Sequence, residues 1–256
     1  MPKPVSGSDY KEQFYRSYYN SHIVSRKGEA SLEQFALRSR IYDAVWSRLM
    51  PPDRGATILD VGCGTGSLVW WLQQRGYASA EGIDVSSEQI EVASRLGVRN
   101  VAVADLNEYL GERPGCYEAL ILRDVLEHFE RPRIIRVLGL CLEALRPGGR
   151  LIVQVPNAEA PFWGRIRYGD FTHELAFTEG SLRQLFAVVG FASPAVYPAG
   201  PVRLRGKDFP RQILWRCLEA AYKLMVFAET GRRWAVVTES IIAVARRAAP
   251  AGGEVA

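Results

Sequence analysis

Short, nearly continuous apolar runs alternate along the chain with stretches whose apolar residues recur at helical spacing. Strand-length runs bounded in this way are typical of a parallel sheet that is covered on both faces by helices. The pattern therefore predicts an α/β fold. The strand-like runs are Thr57–Gly62, Ala80–Val85, Asn100–Ala104, Tyr117–Leu122, Arg150–Val155, Ser193–Pro198 and Ser240–Ala245.

Three stretches outside these runs have the spacing of longer helices. The first, Ser31–Leu49, stops at two prolines, the second begins near Thr178 and ends at Gly190, and the third runs from Arg211 to Glu229. Residues 158–177, which follow a strand end, are predicted to be a loop at the edge where open α/β sheets bind ligands. We expect an aromatic arm over residues 1–30, a main domain over 31–198 and 238–248, and an insertion over 199–237.

Composition narrows the class of protein. With 256 residues, of which 48% are hydrophobic, the chain can bury one sizeable core. A formal net charge of +4 is too small to indicate a nucleic-acid partner. The 4 cysteines are widely spaced, so we expect reduced thiols and no metal site. No leader and no apolar segment of membrane-spanning length is visible, and a cytoplasmic location is expected.

The sharpest chemical signal is the segment ILDVGCGTGSL, in which an apolar strand runs into a glycine-rich turn. Glycine permits a tight turn and close approach of a ligand to the backbone. Here Gly62, Gly64 and Gly66 follow a G-x-G-x-G pattern, with Asp60 two residues before the first glycine and Cys63 inside the turn. This departs from the G-x-G-x-x-G/A spacing of dinucleotide-binding loops. A tight turn without a ligand is the alternative.

This segment resembles the first motif of class I methyltransferases, whose loop wraps the methionine part of S-adenosylmethionine (SAM). The resemblance implies a Rossmann-like, seven-stranded, mostly parallel sheet with an antiparallel last strand. It also implies that Asp60 and the glycine backbone hold the amino-acid end of SAM, and that the product is S-adenosylhomocysteine (SAH).

Two later strand ends are expected to bind the nucleoside part of SAM. Asp84, about 20 residues after the loop, can accept hydrogen bonds from both ribose hydroxyls, with Val85 beside it. Asp105 matches the family residue that contacts the adenine amino group, and Leu106 would pack on the ring. A helix cap or a solvated carboxylate would explain either acid without a ligand.

The fourth strand leads into LRDVLEHF, which is similar to a motif of the methyltransferase branch that includes ubiquinone-biosynthesis enzymes. The resemblance assigns Arg123, Asp124 and Val125 to the floor beneath the sulfonium. His128 follows shortly and has the pKa range of a general base. A hydrogen-bonded position at a helix start is the alternative.

The stretch PFWGRIRYGDFTHELAF resembles methyltransferases encoded among polysaccharide or lipopolysaccharide biosynthesis genes. Asp170, His173 and Glu174 bring a carboxylate, an imidazole and a second carboxylate together, and His173 is our first candidate for the base. The alternative is that they only fix the loop. Arg165 and Arg167 are candidates for contact with an acidic acceptor, or a solvated face.

Two further segments suggest contacts beyond the cofactor. Tyr10 and Tyr15 belong to the aromatic arm, which would close over SAM as a lid or simply pack. The basic, amphipathic segment at 203–229 suits an anionic membrane surface or a lipid-linked saccharide, but packing on the sheet or on a partner subunit is the preferred explanation. A monomer or a homodimer is expected.

The leading function from sequence is O-methylation of a sugar hydroxyl in surface-polysaccharide or glycolipid synthesis. Methylation of a quinone, phenol or natural product is the enzymatic alternative, and a non-catalytic SAM-binding module is the alternative of a different class. No dense basic patch supports a nucleic-acid substrate.

Overall fold

A computed structural model describes residues 28–202, 208–233 and 235–249, together with the single positions 14, 19 and 24. Its centre is a 7-stranded sheet in the order β3-β2-β1-β4-β5-β7-β6. β1 to β5 pair in parallel, whereas β7 is antiparallel to both of its neighbours. The predicted fold is confirmed. The strands are β1 Ile58–Val61, β2 Glu81–Asp84, β3 Val101–Val103, β4 Tyr117–Arg123, β5 Leu145–Pro156, β6 Ala192–Pro198 and β7 Ser240–Arg246.

Helices cover both faces of this sheet, as the continuous apolar strands require. In β1, Leu59 and Val61 face one core cluster and Ile58 faces the other, in keeping with the two-residue repeat of a strand. The helices are α1 Leu32–Val45, α2 Ser67–Gln74, α3 Ser87–Arg95, α4 Leu106–Gly111, α5 Arg131–Ala144, α6 Trp163–Arg167, α7 Glu179–Val189 and α8 Phe209–Thr230.

Local capping signals account for the ends of several helices. Ser31 caps α1 and Thr178 caps α7, each through its hydroxyl oxygen, and Gly190 ends α7 in the left-handed conformation. Two sequence expectations need correction. The stretch predicted as a loop contains the short helix α6. The third long helix, α8, does not pack its apolar side on the sheet, because none of its residues is buried.

None of the described helices combines the length and the apolar content needed to cross a bilayer.

Candidate active site

A cleft of about 1740 Å³ opens at the carboxyl ends of β1, β2 and β4. At β1 the strand order reverses direction, which makes this edge the position where open α/β sheets bind ligands. The cleft extends from the glycine-rich turn, past the ends of β2 and β4, to the 165–173 segment and α8. It is large enough for a nucleoside cofactor beside a second small molecule.

The glycine-rich turn lies where the sequence predicts it, between β1 and α2. Gly62, Gly64 and Gly66 have φ angles of +72°, +57° and +76°, which strain any residue with a side chain. A Cβ on Gly62 would lie 2.6 Å from Cγ2 of Val125. The glycines are therefore required by backbone conformation and by protein packing, in addition to the ligand approach expected from sequence.

Asp60 sits beneath this turn with its carboxylate completely buried. Neither of its oxygens has a hydrogen-bond partner among the residues that the structure describes. Burial raises the pKa of Asp60 to about 7, and the positive charge of Arg123 partly opposes the rise. An unpaired buried carboxylate is costly. A bound ammonium group would supply the missing donor, so this arrangement fits the amino-acid end of SAM.

The carboxylate of Asp84 joins the turn to the end of β2. Its two oxygens accept hydrogen bonds from the backbone of Gly64 and of Ser86, each at 2.9 Å, and it lines the cleft beside Val85. Burial raises the pKa of Asp84. Ser86, rather than Asp84, caps α3, and the ribose contact stays a prediction.

Asp105 forms contacts within the protein at the start of α4. Its Oδ1 caps α4 by accepting from the backbone of Asn107 at 2.8 Å, and Oδ2 lies 3.9 Å from Arg133. The residues on either side, Ala104 and Leu106, line the cleft, whereas Asp105 does not. The adenine contact of Asp105 stays a prediction, and the cap explains the residue without it.

Arg123, Asp124 and Val125 line the cleft at the end of β4, where the sequence placed the floor of the site. Arg123 donates to the hydroxyl of Tyr42 at 2.9 Å. Asp124 has a φ of +58°, and both of its carboxylate oxygens accept from the amide of Gln154. Backbone strain of this kind often marks a functional position.

A chain of hydrogen bonds defines the opposite wall. The hydroxyl of Thr172 donates to Oδ1 of Asp170 at 2.7 Å and lies 2.9 Å from Nδ1 of His128. Because its proton is directed to Asp170, the Thr172 oxygen accepts from Nδ1 of His128. Thr172 was not identified from the sequence.

His173 packs against His128 with ring centroids 4.7 Å apart. Its Nδ1 lies 3.1 Å from the carbonyl oxygen of Ile166 and must donate to it, so Nε2 carries the lone pair. Burial lowers the pKa of His173 and keeps the ring neutral. Oδ2 of Asp170 lies 4.0 Å from Nε2 of His173. The carbonyl of Ile166, rather than the carboxylate of Asp170, therefore fixes the ring of His173 by a hydrogen bond.

The remaining charged residues of this segment hold it in place. Arg165 forms an ion pair with Glu239, and Arg167 donates to the carbonyls of His173 and Glu174. The backbone of Glu174 donates in turn to the carbonyl of Glu127 at 2.7 Å. The two arginines thus have internal partners, which supports the loop-fixing interpretation over direct contact with an acidic acceptor.

Glu127 is a second buried carboxyl group without a hydrogen-bond partner in the described ranges, and it was also missed from the sequence. Its side chain is fully buried, and burial raises its pKa well above the ordinary value. Ligand atoms of Glu127, His128 and His173 all lie within 4.8 Å of one another, so the group could hold a metal ion. The available signal in the sequence was the adjacent pair Glu127 and His128, just after the apolar strand β4, but His173 is remote in sequence. The expected absence of a metal site stays a prediction.

Tyr10 and Tyr15 lie outside the described residues, so their lid role stays a prediction. Phe14, from the same arm, stacks on Phe171 with ring centroids 5.4 Å apart. Part of the arm thus contacts the segment that carries His173. A further cleft residue, Trp215 of α8, has a buried indole nitrogen without a hydrogen-bond partner in the described part of the chain.

The sheet order, the glycine-rich turn and the unpaired Asp60 define a class I SAM-dependent methyltransferase fold. A family model described as "Methyltransferase domain" matches residues 35–193, and the chain belongs to this family. SAM, the predicted cofactor, is the cofactor of this class.

Curated relatives match over part of the chain. The ubiquinone biosynthesis O-methyltransferase of Xylella fastidiosa (strain 9a5c) is 36% identical over 111 residues, or 41% of this chain and 44% of that protein. The mitochondrial ubiquinone biosynthesis O-methyltransferase of Rattus norvegicus is 35% identical over 114 residues, or 41% of this chain and 32% of that protein. The chain thus spans less than half the length of these relatives.

Solved structures agree in fold. A SAM-dependent methyltransferase from Archaeoglobus fulgidus has a TM-score of 0.62 and 18% identity, covering 84% of this chain and 98% of that one. The 1,6-didemethyltoxoflavin-N1-methyltransferase of Burkholderia thailandensis, with 1,6-didemethyltoxoflavin and SAH bound, has a TM-score of 0.56 and 17% identity. The match covers 97% of this chain and 93% of that one. At this identity the likeness supports the fold alone.

Proposed function

We propose that the protein transfers a methyl group from SAM to a hydroxyl oxygen of a small molecule of the phenol or quinone type. The observation that carries this proposal is the pair of imidazoles, His128 and His173, each hydrogen-bonded through Nδ1. Both line the cleft that the glycine-rich turn also lines. The names of the matching relatives, which are ubiquinone biosynthesis O-methyltransferases, support a small-molecule phenol or quinone acceptor over the sugar acceptor expected from sequence.

When bound, SAM supplies a methyl group already activated by its sulfonium. The chain must then align the acceptor, exclude water and accept a proton. We assign the proton to Nε2 of His173 first, because burial keeps this ring neutral near pH 7. His128 is the second candidate. An oxygen of the Glu127 carboxyl group lies within 4.8 Å of a ring nitrogen of both histidines.

Trp215 extends the acceptor side of the site. Its indole nitrogen is a donor without a partner among the described residues, in a cleft wall that also includes Ile166 and Gly169. An oxygen of the acceptor would satisfy that donor. The open cleft beside the cofactor turn also argues for an enzyme over a non-catalytic SAM-binding module.

A sugar hydroxyl is the second candidate acceptor, and one feature of the site favours it. Phe162, Trp163, Tyr168 and Phe171 expose 40–75% of their surface on the segment that lines the cleft. Exposed rings of this kind provide apolar platforms for a large ligand. Membrane contact through the insertion and a cytoplasmic location stay predictions.

The test is an acceptor panel with labelled SAM and SAH release as the readout. We expect turnover with hydroxylated phenols or quinones, and a strong loss of turnover in His173→Gln at unchanged SAH affinity. Val188→Thr, on the exposed side of α7, is the matched control and should retain activity. Turnover of sugar nucleotides or lipid-linked sugars alone would move the assignment to the second candidate. SAM binding without turnover of any acceptor would support the binding-module alternative and contradict the proposal.

A further inference from the structure

The long helix α8, Phe209–Thr230, exposes most of its large aliphatic side chains, whereas an ordinary surface helix turns its apolar side toward the core. Its half-buried residues recur at the spacing of one helix face: Gln212, Trp215, Glu219, Tyr222, Lys223 and Val226. On this body-facing side the hydroxyl of Tyr222 donates to the carbonyl of Glu159 at 3.2 Å, and Lys223 pairs with Glu219 at 2.7 Å. The helix thus contacts the rest of the protein through a face of mixed polar, aromatic and aliphatic residues, and most of its large aliphatic side chains point away from the body.

The outward face carries the apolar residues, which we call the α8 stripe. Its large side chains are 44–68% exposed: Ile213, Leu214, Leu218, Leu224, Met225 and Phe227. At about 100° per residue they share one half of the helix surface, and no charged residue of α8 falls in that half. An exposed apolar surface of this length on a protein surface indicates an interaction site.

The order of side-chain sizes along the α8 stripe is close to symmetric about its middle. Large pairs, Ile213 with Leu214 and Leu224 with Met225, flank a centre that contains Leu218 and the small residues Cys217, Ala220 and Ala221. A second copy of the helix, placed antiparallel across a two-fold axis, would set each large pair against the other and the small residues at the crossing. Such a surface is self-complementary, as a two-fold interface requires.

The charges at the edge of the stripe agree with this pairing. Arg211 and Glu229 are eighteen residues apart, which is five turns at about 3.6 residues per turn, so they lie on the same edge at opposite ends. A two-fold axis near Ala220 brings Arg211 of one copy opposite Glu229 of the other. Both are exposed, and neither has an ion-pair partner within the described ranges.

We propose that the α8 stripe is the interface of a homodimer, in which two antiparallel copies of α8 pack across a two-fold axis. The opposite charges at the ends of one edge favour a second copy over an anionic lipid surface, which would select basic residues at both ends. The interface lies on the side of α8 away from Trp215, so the proposal does not depend on the catalytic assignment.

The test measures the mass of the full chain in solution by sedimentation equilibrium over a range of concentrations. We expect a dimer for the natural chain and a monomer for Leu214→Glu with Leu224→Glu, with unchanged far-UV circular dichroism and SAH affinity. Val188→Glu, an apolar residue 70% exposed on α7, is the control and should stay dimeric.

Charge exchange and cross-linking make the geometry testable. Arg211→Glu or Glu229→Arg alone should weaken the dimer, and the double exchange should restore it. In a Cys116→Ser background, where Cys217 is the remaining exposed thiol among the described residues, a short bis-maleimide should link two chains.

Three outcomes would overturn the proposal. One is a monomeric natural chain at every concentration, and another is a dimer that the stripe substitutions leave intact. The third is a monomer that binds anionic vesicles only while the stripe is unsubstituted, which would identify a lipid surface as the occupant instead.

Discussion

Replacing Asp60 by asparagine should stabilise the free protein and weaken its binding of SAH. The carboxylate is fully buried, unpaired among the described residues, and has its pKa raised to about 7. One pKa unit corresponds to about 1.4 kcal/mol of free energy. The rise in the pKa of Asp60 from about 4 to about 7 therefore corresponds to about 4 kcal/mol. The folded chain binds this proton more tightly than the unfolded chain, so the group's contribution to stability falls as pH rises from about 4 to about 7.

Asp60→Asn should therefore raise the free energy of unfolding above pH 7 by up to about 4 kcal/mol, and by little near pH 4. If SAH binds only the ionised carboxylate, its affinity for the natural protein should fall about eightfold between pH 7.5 and pH 6. In the variant this dependence should disappear, and affinity at pH 7.5 should be about 10- to 100-fold weaker.

Urea denaturation at both ends of the pH range and isothermal titration with SAH measure the two effects. Asp53→Asn is the control, because Asp53 is exposed and does not line the cleft. Equal SAH affinity of the natural protein and Asp60→Asn at pH 7.5, or an affinity of the natural protein that does not change between the two pH values, would refute the reasoning.

Other predictions concern the turn and the acceptor wall. Gly62→Ala should lower the free energy of unfolding by about 2–5 kcal/mol, because the added Cβ clashes at a position whose φ is already positive. Gly97→Ala is the control, because Gly97 has φ +78° but nothing lies within 4 Å of an added Cβ. In the same denaturant assay it should cost about 1–2 kcal/mol. Thr172→Val should reduce kcat about tenfold at unchanged SAH affinity, with Thr172→Ser restoring it; an unchanged kcat would remove Thr172 from the positioning of the base. Because burial lowers the pKa of His173, kcat at saturating SAM should fall only as pH drops below about 6.5. His173→Gln should lose this decline at acid pH, and its kcat should be about 10²- to 10⁴-fold lower.

Much of the cofactor side could be predicted because its signals are local. A strand followed at once by glycines with positive φ is visible in the order of residues alone, and Asp60, Gly62 and Gly64 lie where the motif predicts. The acceptor side could not be predicted in the same way. His128 and His173 meet only because the chain returns across the edge of the sheet, where the backbone of Glu174 bonds to the carbonyl of Glu127.

The apolar runs by themselves determined a mostly parallel sheet covered by helices, because a strand buried on both faces cannot carry polar residues at alternate positions. Tertiary structure alone decided which group holds each side chain. The ring of His173 is hydrogen-bonded to the carbonyl of Ile166 and not to Asp170, and Asp170 instead accepts a hydrogen bond from the hydroxyl of Thr172. Tertiary structure also decided the orientation of α8. Helical periodicity in the sequence shows that a helix has an apolar side, but it does not show whether that side faces the core or the solvent.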